Sequence, residues 1–378
     1  MNALTFYRNR WLLIRLPLAL AGLLLGAAAW TWLYPMPKAR ITLSSGLSGG
    51  AYQLYAARYA QAFAQHGIEC TVLESAGSGQ NLTRLRASPA AAELAFVQGG
   101  FGWASIAQAT AGEGKIETLV EIDIEALWLF ARSKNIRNLE DLRGMMVAVG
   151  PEGSGHRVLF QRLLAQQFIA PNSIKLSPIS GPTARDALDQ REVDAVFMVA
   201  SPNAPVVVSL MSTPGIVLAS LQRTAGMADH NNFLQNHLLP QDSLGRDLPP
   251  RDVAILTTPT HLLTRSDLDP ALKRLATAVA MEVHSGPGIF HRAGEYPLLR
   301  SSDFPAASES RQVLKRGLGV AEQLLPFWWT QILQRLLVIG LPLLMLVLLL
   351  GWLIPMVLRW RLESRITRWY GELKFIEH

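Results

Sequence analysis

Apolar and polar positions follow three different patterns along this chain. From Leu16 to Tyr34 runs LPLALAGLLLGAAAWTWLY, 19 residues without a charge, behind Arg8, Arg10 and Arg15. From Leu336 to Leu358 runs LLVIGLPLLMLVLLLGWLIPMVL, trailed at once by Arg359, Arg361, Arg365 and Arg368. About 20 apolar residues suffice to cross a bilayer. Arginines just outside such runs mark the cytoplasmic side, and Trp30, Trp32, Tyr34, Trp328, Trp329 and Trp352 sit where aromatic belts form. Pro342 and Pro355 are compatible with a membrane helix. The first run is open to two readings, a retained span or a signal peptide cut near Ala27-Ala28-Ala29. Either one exports the chain beyond it.

Between the runs, short apolar stretches alternate with helix-period stretches through Gly/Ser turns. ITLSS, a turn at 46–50 and AYQLYAARYAQAFAQHG lead to ECTVLE, SAGSG, QNLTRLRAS and LAFV. The grammar repeats as MMVAV, GPEGSG, HRVLFQRLLAQQF, SIKLSPI, SGP, TARDALDQ and AVFMV. Strands alternating with helices predict parallel α/β sheets, here as two similar units of about 50 residues. Residues 222–252 break the pattern and read as an excursion. RDVAILTTPTHLLTR reads as a strand and a turn, and PALKRLATAVAMEVH as an amphipathic helix.

The expected organisation is a cytoplasmic N-terminus with the first apolar segment (1–36), a first lobe (37–130 plus 252–300) and a second lobe (131–251). A connector (301–330), a second transmembrane helix (331–358) and a basic cytoplasmic tail (359–378) complete it.

Charge changes the picture only by where it sits. The net charge is +6, yet residues 36–326 carry 26 basic and 26 acidic residues. The excess belongs to the flanks of the apolar runs, so a nucleic-acid footprint, which clusters on a folded domain, is not expected. Cys70 is the only cysteine, which rules out an internal disulfide and a thiolate metal cluster. The eight histidines form no H-E-x-x-H and no metal-like spacing, so no metal or cofactor is expected.

Two lobes of this kind enclose ligands outside the carboxyl ends of their strands. The loops there are 45–50, 75–79, 98–102, 150–155 and 200–205. Gly/Ser-rich loops that open helices offer backbone N–H groups and a positive dipole end to an anion. Candidate ligand contacts are Ser45, Ser48, Gly49, Gly50, Tyr52, Ser78, Asn81, Gln98, Ser154, Gly155, His156 and Arg157, with Arg185 behind them. Gly46-Leu47-Ser48-Gly49-Gly50 matches the G-x-S-x-G of a nucleophile elbow, but no earlier strand precedes it to build an oxyanion hole. Asp123, Glu125 and Glu152 form no recognisable acid/base pair. An enzyme is therefore not expected.

ITLSSGLSGGAYQLYAARYAQAFA, ESAGSGQNLTRLRAS, AELAFVQGG, VAVGPEGSGHRVLFQRLL and EVDAVFMVAS together resemble the TAXI branch of the solute-binding proteins of TRAP transporters. The ending, with AGEYP, LPFWW, a span and RWYGEL, resembles a membrane-anchored subgroup of that branch. The resemblance implies a type II periplasmic-binding fold flanked by transmembrane helices at the bacterial inner membrane, with the main domain outside the cytoplasm. It implies closure on a small organic anion, a carboxylate or an amino acid, and a TRAP-type permease as partner besides the lipid bilayer. A domain fixed at both ends cannot shuttle far, so a membrane-fixed sensor or interaction module using the same cleft is the alternative.

Overall fold

The computed structural model describes residues 35–102, 114–132, 135–300 and 303–376, and residues 17, 20–22, 24–26, 28 and 32 ahead of them. The first apolar run thus lies largely outside the described residues. The chain divides into two compact units, Lys38–Gly319 and the pair Met1–Pro37 with Val320–His378.

Among the described residues, the first unit is built on one mixed sheet of ten strands. It opens with β1 (Arg40–Ser44), α1 (Ala51–Gln65), β2 (Glu69–Leu73), α2 (Ser78–Arg86) and β3 (Leu94–Gln98), and continues into the long β4 (Ile116–Ala131). A second series comprises β5 (Met146–Ala148), α3 (Gly155–Gln166), β6 (Lys175–Ser177), α4 (Gly181–Asp189), β7 (Ala195–Ala200) and α5 (Pro205–Ser212). Then come β8 (Val217–Leu218), α6 (Thr224–Asp229), β9 (Gln235–Leu239), β10 (Val253–Arg265), α7 (Pro270–His284) and α8 (Ser308–Arg316).

The strand order is β2-β1-β3-β10-β4-β7-β5-β6, with β8 on β4 and β9 on β10. Within each series the neighbours are parallel, β2-β1-β3 in one and β7-β5-β6 in the other. The two antiparallel strands β4 and β10 run between them. Residues 116–126 of β4 pair with β10, and residues 126–131 pair with β7. Residues 260–264 of β10 pair with β3, and residues 253–257 pair with β9. Two α/β halves joined by long shared strands make a mixed α/β fold.

Burial explains the elements. All five residues of β3 are buried, as befits a strand covered on both faces. Helix α1 buries Ala56, Tyr59, Ala62 and Phe63, one face at helical spacing, and turns out at Gly67 with φ +72°. In the second series Phe160 of α3 packs on Phe197 of β7, with ring centroids 4.8 Å apart.

Three elements differ from what the sequence predicts. The expected strand and turn over 251–265 is one strand of 13 residues that passes through Pro259. Pro259 has no N–H to give, and the ladder shifts register just after it, between Thr260 and His261. Its carbonyl is used, accepting from Gly99 N at 2.7 Å. The expected excursion over 222–252 contains α6 and β9, and β9 pairs with β10 from Val253↔Leu239 to Thr257↔Gln235.

The third difference lies in the second unit, with α9 (Val320–Leu324), α10 (Phe327–Arg335), a π turn (Leu336–Gly340) and α11 (Leu341–Ile376). Residues Phe327–Ile354 form a helix long and apolar enough to cross a membrane, with a mean hydropathy of 2.8 over its best window. Pro342 lacks an N–H and its ring crowds the carbonyl four residues back, and the π turn ends just before it. The helix also continues through the expected tail to Ile376, because nothing after Pro355 breaks it.

Candidate functional site

Five helices begin at one cavity of about 180 Å³ in the first unit. Its walls take Gly50, Ala51 and Tyr52 from the start of α1, Gly77 and Ser78 from α2, Gly155 and His156 from α3. Gly181 and Pro182 come from α4, and Pro205 and Val206 from α5. None of the five carries an acid in its first turn, and α1, α2, α4 and α5 have no side-chain cap. The aligned peptide dipoles of each helix put roughly half a positive charge at its start. No lysine or arginine lines the cavity among the described residues.

The chain reaches this geometry through glycine. Gly77 precedes α2 with φ +123° and ψ −157°, a conformation that side chains with a Cβ avoid. Gly79 approaches the other series so closely that a Cβ would lie 2.6 Å from Gly153 O, and its N–H donates to that same oxygen at 3.1 Å.

Of the residues singled out in the sequence, Ser48, Gly49, Gly50, Tyr52, Ser78, Gln98, Gly155 and His156 line the cavity. Gln98 is 2% exposed, and its Nε2 is a buried donor with no partner. Its backbone N–H donates to Ser78 Oγ at 2.9 Å, and its Oε1 lies against Gly155. His156 accepts the Val199 N–H on Nδ1 at 3.0 Å, which places the proton of its neutral ring on Nε2. Burial holds its pKa down to about 4. His156 is therefore a neutral donor.

Ser45, Asn81, Ser154 and Arg157 stand behind the cavity and shape it. Asn81 Nδ2 donates to Ser45 O at 2.7 Å and to Phe96 O at 2.8 Å, while its Oδ1 accepts from Ser44 Oγ at 2.6 Å. One side chain thereby ties the ends of β1 and β3 to α2. Ser45 Oγ donates to Gln53 Oε1 at 2.7 Å. Ser154 caps α3 by accepting from Arg157 N at 3.3 Å, and the Arg157 side chain reaches Gly150 O at 3.4 Å. Arg185 pairs with its neighbour Asp186 at 2.8 Å.

Glu125, to which the sequence alone assigns no role, also belongs to the cavity wall. It is 5% exposed and accepts on Oε2 from Tyr52 Oη at 2.9 Å and Thr260 Oγ1 at 2.8 Å. Burial pushes its pKa up to about 7, against the two hydroxyl donors that favour its charged form; neighbouring Asp123 adds to the rise. A signal was present in VEIDIEA, where period-two alternation marks a strand with its acids on one face. A second cavity of about 330 Å³ shares Ala51, Ala204 and Pro205 with the first and is lined by Tyr55, Arg58, Asp123, His284 and His291. Among the described residues, no three or more His, Cys, Asp or Glu come together to hold a metal ion.

Solved structures with similar chain traces include a protein of Bordetella bronchiseptica, at 16% identity over 65% of this chain and 71% of that one, with a TM-score of 0.47. The alkanesulfonate-binding protein SsuA of Xanthomonas axonopodis, bound to MOPS, is 16% identical over 66% of this chain and 74% of its own, with a TM-score of 0.41. The periplasmic aliphatic sulphonate binding protein SsuA of Escherichia coli is 17% identical over 66% and 74%, also at 0.41. No curated protein sequence matches the chain. Residues 43–293, about two thirds of the sequence and all five loops that wall the cavity, match the NMT1-like family, and the chain belongs to that family.

Proposed function

We propose that this protein is a membrane-anchored, extracytoplasmic solute-binding protein that captures a small organic anion in the cavity where the five helices begin. The observation that carries the reading is the unpartnered, buried Gln98 Nε2 in a cavity otherwise rimmed by helix N-termini. A buried donor without an acceptor costs about 1–3 kcal/mol, which a bound anionic oxygen would relieve. The cavity has room for roughly six water molecules, the scale of a small carboxylic or amino acid.

In this reading the lobes are 37–130 plus 252–300 and 131–251, and they close by a hinge in β4 and β10. The sequence resemblance supports the TAXI branch of TRAP solute-binding proteins, with a TRAP-type permease as partner. The apolar helix Phe327–Ile354 and the apolar run near the N-terminus support anchoring at both ends at the inner membrane. The unbroken helix to Ile376 keeps a second reading in play, in which cleft closure is relayed to a cytoplasmic partner by a sensor.

The test is a thermal-shift screen of the full chain in detergent against dicarboxylates, 2-oxoacids and amino acids. A ligand at 100 times its Kd stabilises the native state by about 2.7 kcal/mol. A shift of several degrees with one chemical class is expected. No shift with any class overturns the capture reading.

A further inference from the structure

The proposed solute site offers several donors and, among the described residues, a single acid. Gln98 Nε2 and the neutral His156 Nε2 donate, and the helix starts add backbone N–H groups and positive dipole ends. Glu125 alone is an acid. Among the described residues no cation of the protein faces it: neither lysine nor arginine lines the cavity, and His156 is held neutral. Its hydrogen-bond partners Tyr52 and Thr260 are hydroxyls on one oxygen, and the nearest other charge on its strand is the like charge of Asp123. Burying a carboxylate without a cation is costly, so such a group at a ligand cavity is matched by the ligand.

Strand register relates the two poles. Thr260 of β10 stands opposite Gln98 of β3 on one side, and on the other its hydroxyl bonds Glu125 of β4. Gln98 and Glu125 thus lie two strand spacings apart across β10 and two residues apart along it, Glu125 standing opposite Thr258, which separates their backbones by roughly 12 Å. Both residues line the cavity, so one small molecule bound there can meet both.

We propose, resting on the solute-binding reading above, that the solute is a zwitterion, its anionic group held by Gln98 and the helix starts and its ammonium group paired with Glu125. A purely anionic solute would meet Glu125 with like charge unless that residue took up a proton.

These alternatives have opposite proton signatures. An ammonium ligand drives Glu125 to ionise, so binding releases protons and does not weaken from pH 6 to 8. An anion alone drives Glu125 to protonate, so binding takes up protons and weakens over the same range. The other titratable groups near Glu125 are Tyr52 and Tyr55 on α1, both pushed above the tyrosine range by burial, and His156 on α3, which titrates near 4. Asp123 is the neighbour on β4, and His291 beside it is raised by its bond to that carboxylate, against the effect of burial.

The experiment is titration calorimetry of the full chain in detergent with matched pairs: L-glutamate and glutarate, L-leucine and 4-methylpentanoate, taurine and ethanesulfonate. Buffers of different ionisation enthalpy report the protons exchanged. The amino member of one pair is expected to bind at least 30-fold tighter than its partner, with proton release. Glu125→Gln is expected to erase both the preference and the release while melting no lower than the wild type at pH 8. Tighter binding of the amine-free partner with proton uptake overturns the zwitterion and leaves an anion site. A preference unchanged in Glu125→Gln makes that residue a strut and overturns its role. If no probe binds, the solute-binding reading falls with it. Should the variant fail to fold, the sign of proton exchange in the wild type decides alone.

Discussion

Between pH 7 and pH 4 the first unit is expected to lose on the order of 6 kcal/mol of stability, close to the whole margin of a typical domain. Three histidines cause this. His261 and His284 are buried and His156 is half-buried in the cavity wall, and loss of solvent holds each pKa at about 4 instead of 6.5. The unfolded chain binds these protons from pH 6.5 downward and the folded chain does not until about pH 4. Their contribution is fully present above pH 6.5 and is lost as pH falls through this window, roughly 3 kcal/mol each. Glu125 works against them. Its pKa is about 7 when folded and 4.5 otherwise, so it favours the folded state more as pH falls from 7 to 4.5, by about 3 kcal/mol. Urea unfolding at pH 7.5, 5.5 and 4.5, monitored by circular dichroism, measures the difference. His261 is the clearest lever, because both its ring nitrogens lack a hydrogen-bond partner and Asp303 is 3.8 Å away, beyond reach. His261→Leu is expected to flatten the pH dependence by about half. A midpoint that does not move between pH 7.5 and 4.5 contradicts the account.

Asn81→Ala is the second large effect, a loss of about 3 kcal/mol. Asn81 is fully buried, and its amide serves two carbonyls and one hydroxyl at the ends of β1 and β3. Truncation takes that donor from Phe96 O and from Ser45 O, which keeps Ser75 Oγ at 3.1 Å, and leaves a cavity; an orphaned buried group costs about 1–3 kcal/mol. In a unit of this size the melting temperature falls by roughly 6–12 °C. Asn81→Asp separates the causes. It keeps the volume but turns an acceptor toward both carbonyls, so it should melt no higher than the alanine variant. An aspartate variant that melts like the wild type would show that volume, not donation, matters there.

Asn81 also illustrates how the site was legible. Its sequence context, a Gly/Ser turn opening a helix, correctly located a loop beside the cavity, but polarity alone does not tell a ligand contact from a strut. The decisive facts are long-range bonds to residues 36 and 15 positions away. Ser45, Ser154 and Arg157 share that fate for the same reason. The glycines and Ser48, Tyr52, Ser78, Gln98 and His156 were legible because strand-turn-helix units place each helix start at the same edge of the sheet. Glu125 was not, since its place depends on β4 crossing between the halves, and the alternation in VEIDIEA marks a strand face without saying what that face meets. Likewise Pro259 argued against a continuous β10, and only the register shift beside it shows how the ladder tolerates the missing donor.

The most direct test of solute capture in this cavity is equilibrium dialysis with the best solute from the thermal screen, comparing the wild type with Gly155→Val. A side chain at Gly155 would point at Gln98 Oε1, 2.7 Å from its Cβ, and at Ser78 Oγ, 3.2 Å away, filling the space beside the unpartnered donor. One solute per chain in the wild type and none in a folded Gly155→Val protein is the predicted result. Equal binding by both would place the solute elsewhere and contradict the account.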